Sequence, residues 1–379
     1  MKNLRLAPLA LAIAVVGCGG NSSDSAGDAA PATPKAAAQV VHVYNWSDYI
    51  AEDTLENFQK ETGIRVIYDV YDSNEVLEAK LMTGGSGYDL VFPSARPFAE
   101  RHVTAGVYAP LDKSALSGLD KLDPEVMEGL AAIDPGNVHV LPYMWGTTGI
   151  GINVEKVRAA LGEDAALDSW GLLFDPANAA KLAGCGIAVL DDEQETFAAA
   201  LIWKGLDPNI ASEENNAVVA EVYDGLRPHL RYFSSSKYLD DLANGDLCIT
   251  MGYSGDIFQA RDRAAEAENG VEIEYFIPKE GALRWVDVMA IPADARNREN
   301  AHAFINYLLR PEVIAAISDY VAYANPNLDA RALIDEEVAN DPSIYPTEDV
   351  LAKLIDPVTF AQDAQRTRVR TWTTIKSGR

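Results

Sequence analysis

The stretch Val40-Val41-His42-Val43-Tyr44-Asn45-Trp46-Ser47-Asp48-Tyr49 decides the fold class. Its β-branched start predicts a strand over 40–44, ending where polar and aromatic residues crowd together. Residues 52–61 follow with helical spacing that puts Leu55 and Phe58 on one face, and Gly63 ends that helix. Residues 64–71 read as the next strand, 75–82 as a helix, Gly84-Gly85-Ser86-Gly87 as a turn, and 89–92 as a buried strand. This βαβαβ rhythm predicts a parallel sheet with helices on both faces. It returns further on, with strands at 186–190 and 247–251 and helices at 196–204 and 215–226. Residues 298–309 and 312–318 read as consecutive helices, with Pro311 opening the second. The expected class is α/β, built as two similar lobes.

Working outward, the chain has 379 residues, of which 48% are hydrophobic, enough for two ordinary domains at about 150 residues each. The 31 Lys and Arg stand against 57 Asp and Glu, a net charge of −26. That excess argues against nucleic acid or anionic lipid as ligand, since both need a basic face. Ahead of Val40, Lys2 and Arg5 precede an apolar run over 6–16 that is too short to span a bilayer. The run reads as part of a signal peptide covering residues 1–17. It closes on Val15-Val16-Gly17-Cys18, similar to the lipobox in which a bacterial lipoprotein's Cys becomes the acylated N-terminus. The alternative is an ordinary cleavage site beside a chance Cys. Residues 18–39 then read as the lipidated Cys and a Gly-, Ser-, Ala- and Pro-rich flexible tether, spanning about 25 Å as a random coil. The protein is therefore expected in the periplasm, membrane-tethered as a lipoprotein. In that oxidising compartment Cys185 and Cys248 are candidates to form a disulfide, against the alternative of two buried thiols.

The usual signatures of catalysis are missing. There is no Gly-rich phosphate loop ending in Lys-Ser/Thr, no His-Glu-x-x-His, no Cys-x-x-Cys and no Gly-x-Ser-x-Gly. The five histidines are scattered without ligand-like spacing, so no metal and no cofactor is expected. What recurs instead is an aromatic residue beside an acid after a strand. Tyr44 to Tyr49 is one case, Tyr253-Ser254-Gly255-Asp256 a second and Trp285-Val286-Asp287 a third, while Asp191-Asp192-Glu193-Gln194-Glu195 adds an acidic run. Ligands of open α/β sheets sit at strand ends. Aromatic faces attract ammonium groups and carboxylates accept their hydrogen bonds, so this pattern suits a ligand with alkyl stems and positive ends. Taken singly, each cluster reads more readily as core beside a solvated edge; four in comparable positions are harder to dismiss.

The same residues carry a resemblance. From about Val41 onward the chain resembles the periplasmic polyamine-binding proteins of ABC transporters, the putrescine and spermidine receptors, and is closest to the putrescine type. The landmarks include Tyr44-Asn45-Trp46-Ser47-Asp48-Tyr49-Ile50, Tyr88-Asp89-Leu90-Val91-Phe92-Pro93-Ser94 and Pro142-Tyr143-Met144-Trp145-Gly146-Thr147-Thr148-Gly149. Leu242-Ala243-Asn244-Gly245-Asp246, Asn306-Tyr307-Leu308-Leu309-Arg310-Pro311 and Tyr323-Ala324-Asn325 continue them. The resemblance implies a type II periplasmic binding protein with two α/β lobes, a hinge and an interlobe ligand cleft. It places 41–143 plus 288–327 in lobe 1 and 144–287 plus 328–379 in lobe 2. It also matches the Cys185–Cys248 pair to a disulfide of the putrescine-type members.

Carried over position by position, the resemblance makes Trp46, Ser47, Asp48 and Tyr49 the first-lobe contact motif and Ser94 a small polar contact. Asp48 would help hold one ammonium. Glu195, or its neighbour Gln194, supplies the second-lobe carboxylate, Asp256 and Asp287 the central acids, and Tyr323 an aromatic wall. Tyr253 stands where a Trp is usual. Trp285 and Asp192 are types found in the spermidine receptors. Arg96 stands near the Ser94 end, either facing the cleft or paired with Glu100 one turn later. The expected function is capture of putrescine or spermidine for an inner-membrane ABC permease and its ATPase, by a monomer that does no chemistry on its ligand. The alternatives are a receptor for agmatine, another cationic amine, iron or thiamine, and a secreted hydrolase working with Asp and Glu pairs.

Overall fold

The computed structural model describes residues 39–378, so the expected signal peptide and the lipidated Cys18 lie outside the described residues. Strands β1 (Val40–Trp46), β2 (Arg65–Tyr71) and β3 (Leu90–Val91) are parallel, with β1 in the middle. Helix Thr54–Thr62 covers them by burying Phe58, and it ends at Gly63, whose φ of 72° turns the chain into β2. Helix Asn74–Met82 buries Leu77 and Leu81 after a Ser73 cap.

The next strand is the long β4 (Val140–Asn153). A second parallel group follows, made of β5 (Ile187–Val189), β6 (Tyr232–Phe233) and β7 (Ile249–Tyr253). After β8 (Ile273–Phe276), β9 (Ala282–Ala290) returns along β4. The resulting order is β2-β1-β3-β9-β4-β7-β5-β6, with β8 on β4 and β10 (Leu354–Ile355) on β9.

The sheet is therefore mixed, which corrects the expectation of a parallel one. β9 is antiparallel to both β3 and β4, and β4 is antiparallel to β7 and β8. The reason is connectivity: β4 and β9 are neighbours that pass in opposite directions between the two parallel groups. β4 does not read as a strand from composition, because it contains Pro142, Gly146, Gly149 and Gly151. Gly149 is required by close approach, since a Cβ there would lie 2.3 Å from the Phe276 carbonyl oxygen on β8.

Of three buried hydrophobic clusters, the two largest flank this crossing. One is built around Val41, Phe58, Leu90, Phe92, Tyr143, Phe304 and Ile317, and includes Ile334 and Ala339. The other holds Trp170, Phe174, Leu190, Phe197, Tyr223, Ile249 and Trp372. Cys185 and Cys248 are bonded in the second, with Cα atoms 5.5 Å apart and 63 positions between them in sequence. Closing a loop of that size stabilises the fold by about 4 kcal/mol in the chain-entropy account. The helical content extends past the sequence reading: helix Gln362–Ser377 lies against the second core through Trp372 and Ile375.

Candidate ligand-binding site

Where β4 and β9 cross, a cleft opens between the two cores, with about 770 Å³ of atom-free space counting the open solvent at its mouth. It brings together all of Trp46, Ser47, Asp48, Tyr49, Ser94, Asp192, Glu195, Tyr253, Asp256, Trp285, Asp287 and Tyr323. Sequence reasoning did not find Tyr71, Asp72, Asn74, Phe98, Ser235 or Leu239, which also line it. Tyr71-Asp72 is itself an aromatic–acid pair at the end of β2, a signal of the same kind that could have found both; Asn74, Phe98, Ser235 and Leu239 stand in no such pair.

The first-lobe wall is set by the end of β1. Asp48 adopts a φ of 53°, a left-handed turn that sends Tyr49 into the core at 4% exposure while leaving Trp46 at the cavity. Trp46 is fixed by its indole N–H, which donates to the Phe92 carbonyl at 2.8 Å, and by the Tyr71 ring at 4.7 Å. Tyr71 donates to the same carbonyl at 2.6 Å. Ser94 follows two residues later. Its hydroxyl donates to Asp287 Oδ1 at 2.7 Å and receives the Asn74 amide at 3.0 Å.

β9 supplies the floor. Trp285 and Asp287 are both buried, and Trp285 stands edge-on to Tyr253 at 5.8 Å and to Tyr323 at 5.3 Å. Gly146 on β4 makes room for that indole, because a Cβ would lie 2.7 Å from the ring. The Trp285 Nε1 has no hydrogen-bond partner among the described residues. A buried donor without a partner is costly, so the floor has hydrogen-bonding capacity to offer.

The second-lobe wall comes from helix Glu193–Trp203. Asp192 caps it, accepting from the Glu195 amide at 3.0 Å. Glu195 is buried one turn in, and its Oε2 has no hydrogen-bond partner among the described residues. Both Gln194 and Glu195 line the cavity, but Glu195 is the more deeply enclosed. From the helix after β7, Asp256 accepts from Tyr238 at 2.6 Å and Tyr323 at 2.7 Å.

Charge is the dominant feature. Six carboxylates (Asp48, Asp72, Asp192, Glu195, Asp256, Asp287) line the cavity against one guanidinium, that of Arg96. Desolvation raises Glu195 to about 8, helped by the nearby charge of Asp192. It raises Asp287 to about 7, against the hydrogen bond from Ser94. Asp192 and Asp256 are raised to about 6, again chiefly by burial. Such a site disfavours its own ionisation until a cation enters.

Asp48 departs from the role expected of it. It lines the rim, but its carboxylate already pairs with Arg263 at 2.6 Å, and Arg263 also holds Asp240 at 2.8 Å. Arg96 does both things expected of it: it lines the cavity, and its Nε lies 3.8 Å from Glu100. None of the five histidines lines the cavity. Among the described residues no cluster of His, Cys, Asp and Glu has the geometry to hold a metal ion.

A mixed two-lobed α/β fold around a deep polar cleft is the architecture of solute-binding proteins. The chain belongs to the bacterial extracellular solute-binding protein family, whose pattern it matches over residues 53–347. Among its relatives is the putrescine-binding periplasmic protein PotF of Escherichia coli (strain K12), 52% identical over 348 residues, covering 92% of this chain and 94% of that one. The putrescine-binding periplasmic protein SpuD of Pseudomonas aeruginosa (strain UCBPP-PA14) is 51% identical over 354 residues, covering 93% and 96%. Of solved structures, the spermidine/putrescine ABC transporter substrate-binding protein PotD of Streptococcus pneumoniae superposes with a TM-score of 0.71 at 28% identity, covering 89% of this chain and 99% of that one.

Proposed function

We propose that the protein is an extracytoplasmic receptor that captures polyamines between its lobes and delivers them to an ABC permease with its ATPase. The observation that carries this reading is the charge of the cavity: six carboxylates and one guanidinium, enclosed by the rings of Trp46, Tyr49, Tyr253, Trp285 and Tyr323. A dication buried there loses most of its hydration, at a cost of several kcal/mol per charge unless acids and aromatic faces compensate. Asp287 and Ser94 sit to receive one ammonium, Glu195 and Asp192 the other, and the aromatic rings pack the alkyl chain between them. Asp256 adds negative potential at the centre, while Asp48 acts at the rim through Arg263. The ligand is held and released, not converted.

The lobes we assign are 41–143 plus 288–327 and 144–287 plus 328–379, with the packing of Ile334 and Ala339 drawing the start of the last segment towards the first lobe. The hinge then lies in β4, β9 and the link after Tyr323, and hinge closure is the signal read by the permease. The relatives named above are periplasmic, which supports a periplasmic location for this receptor. The Val15-Val16-Gly17-Cys18 motif supports a lipid anchor, and a monomer needs no second copy to complete this cavity.

Isothermal titration calorimetry with putrescine, cadaverine, agmatine, spermidine and spermine tests the reading. Arg96 is partnered by Glu100, and Trp285 and Asp192 extend the stacking and acidic surface. Putrescine and spermidine are therefore both expected to bind, spermidine no more than about tenfold weaker, or about 1.4 kcal/mol. No heat with any of these amines would overturn the proposal.

A further inference from the structure

The acidic run Asp191 to Glu195 contains more carboxylates than the cavity uses. Asp192 and Glu195 face the cavity, whereas Asp191 and Glu193 turn the other way, to helix Gln362–Ser377. Arg368 on that helix is 2% exposed, and its Nε donates to Glu193 Oε1 at 2.5 Å. Gln365 donates to the other oxygen of Glu193 at 2.8 Å. The Arg368 guanidinium lies over the Phe197 and Phe360 rings, at 4.6 and 4.4 Å. Asp191 receives the Trp372 indole at 3.2 Å and the ammonium of Lys376. A buried Arg packed against two rings and bonded to one carboxylate is fixed in place, not a mobile surface charge.

We infer that Arg368 is a positioning residue for the ligand site: by neutralising Glu193 from behind, it leaves Asp192 and Glu195 as the charges the second lobe presents to an amine. This rests on the receptor reading above. The arrangement separates four neighbouring acids into two that are cancelled by the protein and two left for the ligand. Without the cancellation, Glu193 adds a buried negative charge directly behind Asp192, and like charges make each other harder to ionise. The other groups facing this pair are Glu75 across the cleft, Tyr253 and Asp287, together with Asp191 on the same loop.

The test uses the sign of charge. Putrescine affinity is measured from pH 5 to 9 in the full mature chain for wild type, Arg368→Met, Glu193→Gln and the double variant. Arg368→Met leaves an extra negative charge, so the acidic midpoint of binding should rise by about half a pH unit or more. Glu193→Gln leaves an extra positive charge and should lower it, and the double variant should return it to wild type. A merely structural contact would weaken binding at every pH without opposite shifts. If Arg368→Met does not fold, Glu193→Gln must still lower the midpoint, and an unmoved one overturns the inference. Midpoints that stay put, or move the same way in both single variants, also overturn it. Failure of the wild type to bind putrescine would instead remove the receptor reading, and this inference with it.

Discussion

Asp287→Asn isolates the charge of the cavity floor. The carboxylate is 4% exposed, hydrogen-bonded by Ser94 at 2.7 Å, and pushed by burial to about 7. An Asn oxygen accepts the same Ser94 hydroxyl, so the backbone of β9 and the Asn74–Ser94–287 chain stay in place. The charge facing an ammonium is lost. Removing one partner of a desolvated, hydrogen-bonded charge pair costs about 2–5 kcal/mol. That is about thirtyfold to several thousandfold in Kd. The empty variant should be at least as stable as wild type at pH 8, because Asn has no charge to desolvate where the Asp is mostly ionised. Calorimetry with putrescine and spermidine gives the affinity, and thermal unfolding at pH 8 gives the stability. Undiminished binding of both amines would refute the role of Asp287, and a lower melting temperature would refute the claim that only charge was removed.

Three further outcomes follow from the same structure. Glu195 near 8 and Asp287 near 7 are raised above their unfolded values, so the empty fold holds protons the unfolded chain has lost between about pH 6 and 9. Stability of the empty protein should therefore rise as pH falls from 9 to 6, by up to about 1.4 kcal/mol per pH unit per group. Putrescine should release protons on binding at pH 7, and titrations in buffers of different ionisation enthalpy that show no proton transfer would contradict this. Replacing Cys185 and Cys248 together by Ser should lower unfolding free energy by about 4 kcal/mol with putrescine affinity kept, read by denaturant melts and calorimetry; an unchanged midpoint would show that the closed loop adds nothing.

What could be read from the sequence was what is local. The β1–helix–β2–helix–β3 unit has its apolar spacing and its glycine stop within a few dozen residues, and the structure reproduces it. Aromatic–acid pairs were visible for the same reason: Trp285 and Asp287 lie on one face of β9, two residues apart, so one strand delivers both. The long strand β4 was not visible, because glycines demanded by the neighbouring Trp285 ring and β8 backbone dilute its β-branched signal. Helix Gln362–Ser377 was missed for a different reason. Its inward residues are Arg368, Trp372 and Ile375, and one of these is a charge whose partner is 175 positions away. The engagement of Asp48 by Arg263, 215 positions apart, is hidden in the same way.

The distribution of acids also explains why binding and closure are one event. Asp287 stands on strand β9 bonded to Ser94 at one wall, while Asp192 and Glu195 are carried by helix Glu193–Trp203 at the other. Bringing the lobes together concentrates these carboxylates in a space that excludes water, where each makes the others harder to ionise. An empty receptor can close only by protonating some of them or by tolerating the repulsion, so its closed population is held down. A ligand with positive charge at both ends removes that penalty at both walls, and its differential affinity for the closed form is what shifts the equilibrium. A neutral solute of the same length would fill the aromatic channel but leave the repulsion untouched, and an anion would add to it. The cleft therefore selects by charge at its two walls and by packing between them, and the same electrostatics that favour the amine produce the closed form.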